Sequence, residues 1–515
     1  MNQLRKSFYL PLTVVLILLA MFWLPKIQVG DKEFRRVNLL SDVQQRDSDG
    51  NILAELMADS LTGSIEIAAD SVAHNDDSQS VAFDRIEDEE EEEPVVVPTK
   101  TQTAKQEPTQ KKNNKSTAQK SNPENKKPDE VPKQTASVNE GDTTAYHPAD
   151  IKPIDYSAVS TGDVPDIEDF GGTMSHFRAA LAQAGSRPVR IAFFGDSFIE
   201  GDILTSDLRE MLQAQYGGKG VGWIDISCVS ERFRLTAKTN CSGWESHHAN
   251  DRNGHQGSLQ GLNGGYFIAK GKASFNVTTS KGHAAIADRA TILYVPGGLS
   301  FKGRVNGAET QPAINDGGAM AAAVFQSANI GKFAFDAAGS GRVFGVALDG
   351  NTGICLDNYS MRGSNGWYTA NTADDILSAY ARLRPYDLFI FEYGLNIANK
   401  KQTDYSLYTS KFKKVIRKIK AHFPNASILI LGSGDRDERS ADGLVTMRGV
   451  KELIAAQRQM AADEGVAFWN LFIAMGGESS IGRMQKNGQA NLDFTHINAA
   501  GGKVVAKSLF KALTK

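Results

Sequence analysis

The sequence predicts an α/β fold: a parallel β-sheet covered by helices on both faces, interrupted by a β-rich insert. An N-terminal apolar segment and a long polar tether precede it. Three observations predict this arrangement. Through much of residues 165–515, short apolar runs rich in β-branched and aromatic residues alternate with segments of helical apolar spacing. That pattern belongs to strands buried on both faces by crossover helices. Within residues 226–350 the helices drop out, and short strand-like runs lie between Gly-rich turns, which reads as a β-sandwich-like subdomain. Residues 84–160 hold too little apolar surface to offset the entropy of ordering a chain.

A chain of 515 residues exceeds what one domain usually holds, and its net charge of −3 gives no reason to expect a nucleic-acid partner. Residues 1–27 read as a cytoplasmic tip and a transmembrane signal anchor. The run 8–24 is apolar except for Tyr9, Pro11 and Thr13, follows Arg5 and Lys6, and ends Phe22-Trp23-Leu24-Pro25-Lys26. It is longer than the apolar part of a typical signal peptide, lacks a small-residue cleavage site, and places Trp23 where an interfacial aromatic belongs. Its flanking charges conflict: Arg5 and Lys6 oppose Lys26, Lys32, Arg35 and Arg36. Residues 28–83 form a membrane-proximal segment, helical in patches such as 52–57. Residues 84–160 form a disordered linker with an acidic run at 87–93. As a flexible coil of about 60 residues its reach would be roughly 40–45 Å.

The body begins near Pro165. Residues 167–184 are predicted helical, 189–194 a buried strand, Gly195 a tight turn, and 198–216 a helix. Strands are expected in the insert at 266–268, 274–279, 291–295, 301–305, 332–335 and 343–348. Beyond it come a strand at 388–391, a basic-faced helix at 411–422, a strand at 427–431, a helix at 450–464, a strand at 466–469 and a closing helix at 503–513. Of the three cysteines, Cys228 and Cys241 are close enough in sequence to close a loop in an oxidising compartment, and Cys355 reads as a buried free thiol. His247, His248 and His255 match no zinc spacing, so no metal is expected. Trp223, Trp244 and Trp367 are equally consistent with sugar stacking and with core packing.

Three short blocks read together as a serine-hydrolase site: Gly195-Asp196-Ser197, Gly394-Leu395-Asn396 and Asp493-Phe494-Thr495-His496. All fall at the ends or edges of α/β units, where open parallel sheets build their ligand sites. A serine hydroxyl needs an adjacent base, and that imidazole needs a third group to fix its tautomer. Ser197, His496 and Asp493 supply these types. Asp493 and His496, three residues apart, would share a face if they lay on one helical turn. The developing oxyanion needs fixed donors, for which the Ser197 N–H, the Asn396 amide and a glycine N–H are candidates.

In these residues the chain resembles the SGNH (GDSL-type) hydrolases, whose blocks supply a Ser, a Gly, an Asn and a His. The second block is sought in Asn358-Tyr359-Ser360-Met361-Arg362-Gly363-Ser364-Asn365-Gly366, where Gly366 fits the oxyanion glycine and Gly363 is the fallback. Two departures stand out. Ile397 replaces the acid that usually follows the block's Asn, and a long insert separates Ser197 from the second block. Such an insert, and the phrase Gly201-Asp202-Ile203-Leu204-Thr205, resemble a bacterial subgroup acting on acetylated peptidoglycan or polysaccharide.

The resemblance implies a flavodoxin-like three-layer α/β/α domain with Ser197, Asp493 and His496 catalytic and no cofactor. It implies a membrane-tethered esterase acting on O-acetyl groups of a cell-envelope or extracellular polysaccharide. The protein would then be a single-pass inner-membrane protein with a periplasmic body. Two alternatives stay open: an O-acetyltransferase served by a multi-pass membrane acyltransferase, and an inactive polysaccharide-binding envelope protein.

Overall fold

The computed structural model describes residues 28–29, 32–33, 151–251, 254–440 and 443–515. The chain divides into two units, Met1–Pro132 and Lys133–Lys515. In the first, strands β1 (Gln28–Val29) and β2 (Lys32–Glu33) pair antiparallel. The expected anchor at 8–24, the rest of segment 28–83 and the linker as far as residue 150 lie outside the described residues. Among the described residues no helix is long and apolar enough to cross a membrane.

The second unit opens with an extended segment lying on the body. Tyr156 meets Phe472 edge-on with ring centroids 5.2 Å apart. The Trp469 indole donates to the Pro165 carbonyl at 3.0 Å. Residues 151–160, assigned to the linker by composition, are thus fastened here, because a few apolar side chains find a groove. Strand β3 (Glu168–Asp169), helix α1 (Met174–Leu181), β4 (Pro188–Gly195) and α2 (Thr205–Tyr216) follow.

Both early helices are shorter than expected. Gly172 is left-handed at φ 67°, and a Cβ on Gly171 would sit 2.3 Å from the Gly465 carbonyl oxygen. The helix expected from 167 therefore starts only at Met174, whose N–H is capped by Asp169 at 2.9 Å. After Ser197, Gly201 (φ 60°) and Asp202 (φ 68°) are both left-handed, and a 3-10 turn at Glu200–Asp202 precedes α2. What holds that strained turn is charge. The Asp202 carboxylate, fully buried, takes bonds from Arg209, Arg234, Thr205 and Asn358. Burial alone would raise its pKa, but the two guanidiniums hold it well below the usual carboxylate range.

Next come β5 (Gly222–Ile224), β6 (Ala237–His248), β7 (Gly265–Thr279), β8 (Ala287–Tyr294), β9 (Leu299–Val305), β10 (Ala308–Thr310), β11 (Ala313–Asp316), β12 (Ala321–Ile330) and β13 (Lys332–Asp349). They form one nine-stranded sheet. Strand β13 organises it. Its first half runs between β7 and β9, its second between β8 and β5, all antiparallel. The register breaks between Val343 and Gly345, where β13 changes partners. Phe275, Phe335, Ile292 and Phe325 belong to a core of this region's own. Trp223 lies buried in β5, a core residue and not a sugar platform.

The chain then builds β14 (Gly353–Ser360), α3 (Asp374–Leu383), β15 (Leu388–Glu392), α4 (Ser406–His422) and β16 (Ser427–Leu431). A hairpin, β17 (Asp437–Ser440) and β18 (Gly443–Thr446), leads to α5 (Val450–Asp463) and β19 (Ala467–Trp469). Helices α6 (Leu471–Met475), α7 (Ser480–Lys486) and α8 (Ala499–Leu513) close the chain. The sheet order is β14-β4-β15-β16-β19-β3. The first five strands are parallel and β3 is antiparallel at the edge. Side chains alternate across it. On one face Ile191, Phe193, Ile390 and Leu429 share a core with Phe177 of α1, Leu208 of α2 and Leu509 of α8. On the other, Phe391 meets Phe412 of α4 at 5.4 Å and Phe389 meets Phe423 at 4.9 Å.

All three cysteines are free; no bond joins Cys228 to Cys241, and the Cys228 thiol instead pairs with the Ser230 hydroxyl at 3.1 Å. Burial pushes the Cys228 and Cys355 thiols up to about 12.

Candidate active site

Strand register brings the blocks to one level. In β4, Gly195 is opposite Ser360 of β14 on one side and Glu392 of β15 on the other. Ser197, the segment 361–366 and Asn396 therefore emerge together at the carboxyl end of the sheet. Ser197, 5% exposed, lies at the base of this edge. Its Oγ is 2.8 Å from His496 Nε2, and His496 Nδ1 is 2.7 Å from Asp493 Oδ2. Nδ1 donates to the carboxylate, which leaves Nε2 free to accept the serine proton. A base oriented in this way can activate a hydroxyl.

Asp493 and His496 do not share a helical turn, as their spacing had suggested. They stand in a tight turn before α8, with Phe494 left-handed at φ 53°. Asp493 Oδ1 accepts the N–H groups of Thr495 and His496, each at 3.0 Å, while Oδ2 faces the ring. One carboxylate thus builds the turn and orients the imidazole. Burial raises its pKa, but the bonds from His496 outweigh that and hold it at about 2.

Asn396 is oriented without the acid that Ile397 replaces. Its Nδ2 donates to Asp196 Oδ2 at 2.8 Å and to the Ser364 carbonyl at 2.9 Å. Ile397 is buried. Gly366 is left-handed at φ 82°, and a Cβ there would lie 2.5 Å from the Tyr393 ring, so only glycine fits. Its N–H donates to Ser364 Oγ at 3.0 Å. Gly363 is also left-handed, at φ 76°, with nothing near its missing Cβ. Its turn is solvent-facing, which favours Gly366 as the glycine against the site. Both Asn396 and Gly366 thus give hydrogens to Ser364, to its carbonyl and its Oγ respectively.

Four residues around the site were given no role by the sequence motifs. Ser364 is the shared acceptor just described. Asp196 accepts the Phe198 N–H as well as Asn396. Glu200 is buried and pairs with Arg362 at 2.7 Å, tying the serine turn to the segment 361–366. Glu392 lies buried beneath Gly195. An Asp beside Ser197 was visible, but nothing in a sequence tells a solvated acid from a buried one. The other candidates make contacts of their own. Trp244 donates its indole N–H to the Ser274 carbonyl, and Lys411 lies over the Trp367 ring at 4.4 Å. His247 stacks on Tyr266 at 4.7 Å, and His248 Nε2 is 3.0 Å from the Ser227 carbonyl. His255 has its pKa lowered by burial.

The model of the GDSL-like Lipase/Acylhydrolase family matches residues 334–504. That segment holds Gly363, Gly366, Asn396, Asp493 and His496 and begins after Ser197, which follows strand β4 at the same end of the sheet. Among solved structures, one described as "Peptidoglycan O-acetylesterase in action" is 23% identical, with 68% of this chain and 98% of that one covered at a TM-score of 0.56. A Bacillus subtilis protein is 13% identical over 54% of this chain and 90% of its own, with a TM-score of 0.26. An acetyl xylan esterase is 15% identical over 31% and 81%, with a TM-score of 0.23. Among curated proteins none matches.

The Asp493–His496 turn is braced from behind by an acid pair. The Asp437 N–H donates to the Phe494 carbonyl at 3.0 Å. Asp435 accepts Thr446 Oγ1, Ser480 Oγ and the Ile481 N–H. Burial, and then the neighbouring Asp435 charge, push Asp437 from an ordinary 3.8 up to about 7. The folded state therefore binds the Asp437 proton more tightly than the unfolded chain does, and stability falls as pH rises between the two values. Asp437→Asn keeps the hydrogen bonds and removes the titration. It should melt with the parent near pH 4 and a few degrees above it at pH 7.5, by thermal unfolding across pH. A constant difference across that range would contradict the assignment.

Proposed function

We propose that this chain is a serine ester hydrolase similar to the SGNH (GDSL-like) family and that it removes O-acetyl groups from a cell-envelope or extracellular polysaccharide through an acyl-enzyme on Ser197. The observation that carries the reading is the continuous relay from Ser197 Oγ through His496 to Asp493, at 2.8 and 2.7 Å. The fold neighbour described as a peptidoglycan O-acetylesterase supports an O-acetyl substrate.

Ser197 attacks the acetyl carbonyl while His496 Nε2 takes its proton. Asp493 keeps the ring in the productive tautomer and stabilises the imidazolium. The oxyanion is held by the Ser197 N–H and by the Asn396 and Gly366 hydrogens now given to Ser364; the Ser364 hydroxyl is free to rotate as its donor leaves. Each such donor is worth roughly 3–4 kcal/mol. His496 returns the proton to the departing sugar oxygen. Water, activated by the same imidazole, then frees acetate and restores Ser197.

In this reading the run 8–24 holds the body outside the cytoplasmic membrane, and the polar linker gives it reach over the polymer. Protease added to spheroplasts should cut between residues 111 and 127 and release an active body. A body protected in spheroplasts would reverse the orientation.

Ser197→Ala should lower acetate release from acetylated glycans by roughly 10⁴-fold or more without lowering Tm, and His496→Ala should match it, since triad members act as a unit. Asp493→Asn should retain more activity than either. Acetate assay against unacetylated acceptor glycans also separates hydrolysis from transfer. Near-normal turnover by Ser197→Ala would refute the nucleophile.

A further inference from the structure

Glu392 ends strand β15 directly under the serine turn. It is fully buried, and a Cβ placed on Gly195 would come within 2.9 Å of its Oε2. No salt bridge to Glu392 is present among the described residues, and neither carboxyl oxygen has a well-placed hydrogen-bond partner. The polar groups that act on it are the carboxyl and the N–H of Asp196, itself fully buried. Two neighbouring buried carboxyls, away from water and without a cation, cannot both ionise. One proton must stay between them.

The surroundings decide which residue keeps it. Asp196 Oδ1 accepts the Phe198 N–H at 3.0 Å and Oδ2 accepts Asn396 Nδ2 at 2.8 Å. Burial pushes Asp196 up to about 6, while both bonds and a positive charge on His496 favour its carboxylate. Glu392 has no comparable donors. Burial pushes its carboxyl far above the usual range, and the Asp196 charge adds to that. The proton therefore belongs on Glu392, from which it is donated to Asp196.

We propose that Glu392 is a positioning residue: a neutral buried acid whose proton bridges to Asp196, fixing that carboxylate as the anion that aims the Asn396 amide at the oxyanion site. The position left without an acid by Ile397 is in this way served by the turn after β4 and the end of β15. The same fixed charge, one residue from the nucleophile, favours the imidazolium that forms on His496 during acyl transfer. This inference rests on the assignment of Ser197 and Asn396 to the site.

The test compares the full-length protein with Glu392→Gln, Glu392→Leu and Ser197→Ala. Gln keeps a neutral donor toward Asp196, so kcat should stay within about threefold of the parent. Leu removes the donor, and kcat should fall roughly ten- to a hundredfold with KM little changed, as part of one oxyanion donor's contribution is lost. Infrared difference spectra between about pH 7 and pH 8, above the range in which Asp196 titrates, should show a protonated-carboxyl band that disappears in both Glu392 variants. Equal damage by Gln and Leu, full kcat in the Leu variant, or absence of the band would each overturn the proposal. If the Leu variant does not fold, the Gln variant and the band still decide it. Activity surviving in Ser197→Ala would instead refute the site itself, while the band would still establish whether Glu392 holds the proton.

Discussion

The structure depends on the parallel pairing of one strand, Pro188–Gly195, between two others far away in sequence. Its neighbours are Gly353–Ser360 and Leu388–Glu392, and all three strands end at the same level. That register converts separated blocks into one site. The long stretch between Ser197 and Gly353 can fold into its own antiparallel sheet because it returns the chain to the adjacent strand. A one-residue slip would invert every side chain of β4 between its two aromatic and aliphatic cores. Catalytic geometry and sheet packing are therefore the same constraint.

Four carboxylates near the site show how burial and partners set charge. Asp202 is buried but ionised, since two guanidiniums offset its desolvation. Asp493 is partly exposed and ionised, held by its own turn and by the imidazole. Asp196 is buried with two N–H donors and no cation. Glu392 is buried with no cation and no comparable donors, and burial with the Asp196 charge favours its neutral acid. The first anchors the strained turn after Ser197. The second orients the His496 imidazole, and the last pair stands behind the Asn396 amide.

Much of this was legible in the sequence because it rests on local patterns. The apolar runs at 189–194, 388–391 and 427–431 are strands, and Ser197, Asn396, Asp493 and His496 converge as their block order suggested. What stayed hidden depends on contacts distant in sequence. Glu392 closes an apolar run and gives no sign that its carboxyl points at Gly195. Helical spacing at 167–173 and 198–204 was overridden by left-handed Gly172, Gly201 and Asp202, the last held by Arg234 across the chain. The i, i+3 spacing of Asp493 and His496 suits a helix and an Asp-capped turn alike. Only the hydrogen bonds of Asp493 to Thr495 and His496 distinguish them.

The central claim is that Ser197 carries the acyl group, and rapid-quench mass spectrometry tests it most directly. Protein mixed with an activated acetyl ester and stopped within the first turnovers should yield a Ser197-containing peptide heavier by one acetyl group. That species should decay as acetate appears. Acetate released with Ser197 unmodified throughout, or an acetyl group found on another residue, would contradict the account.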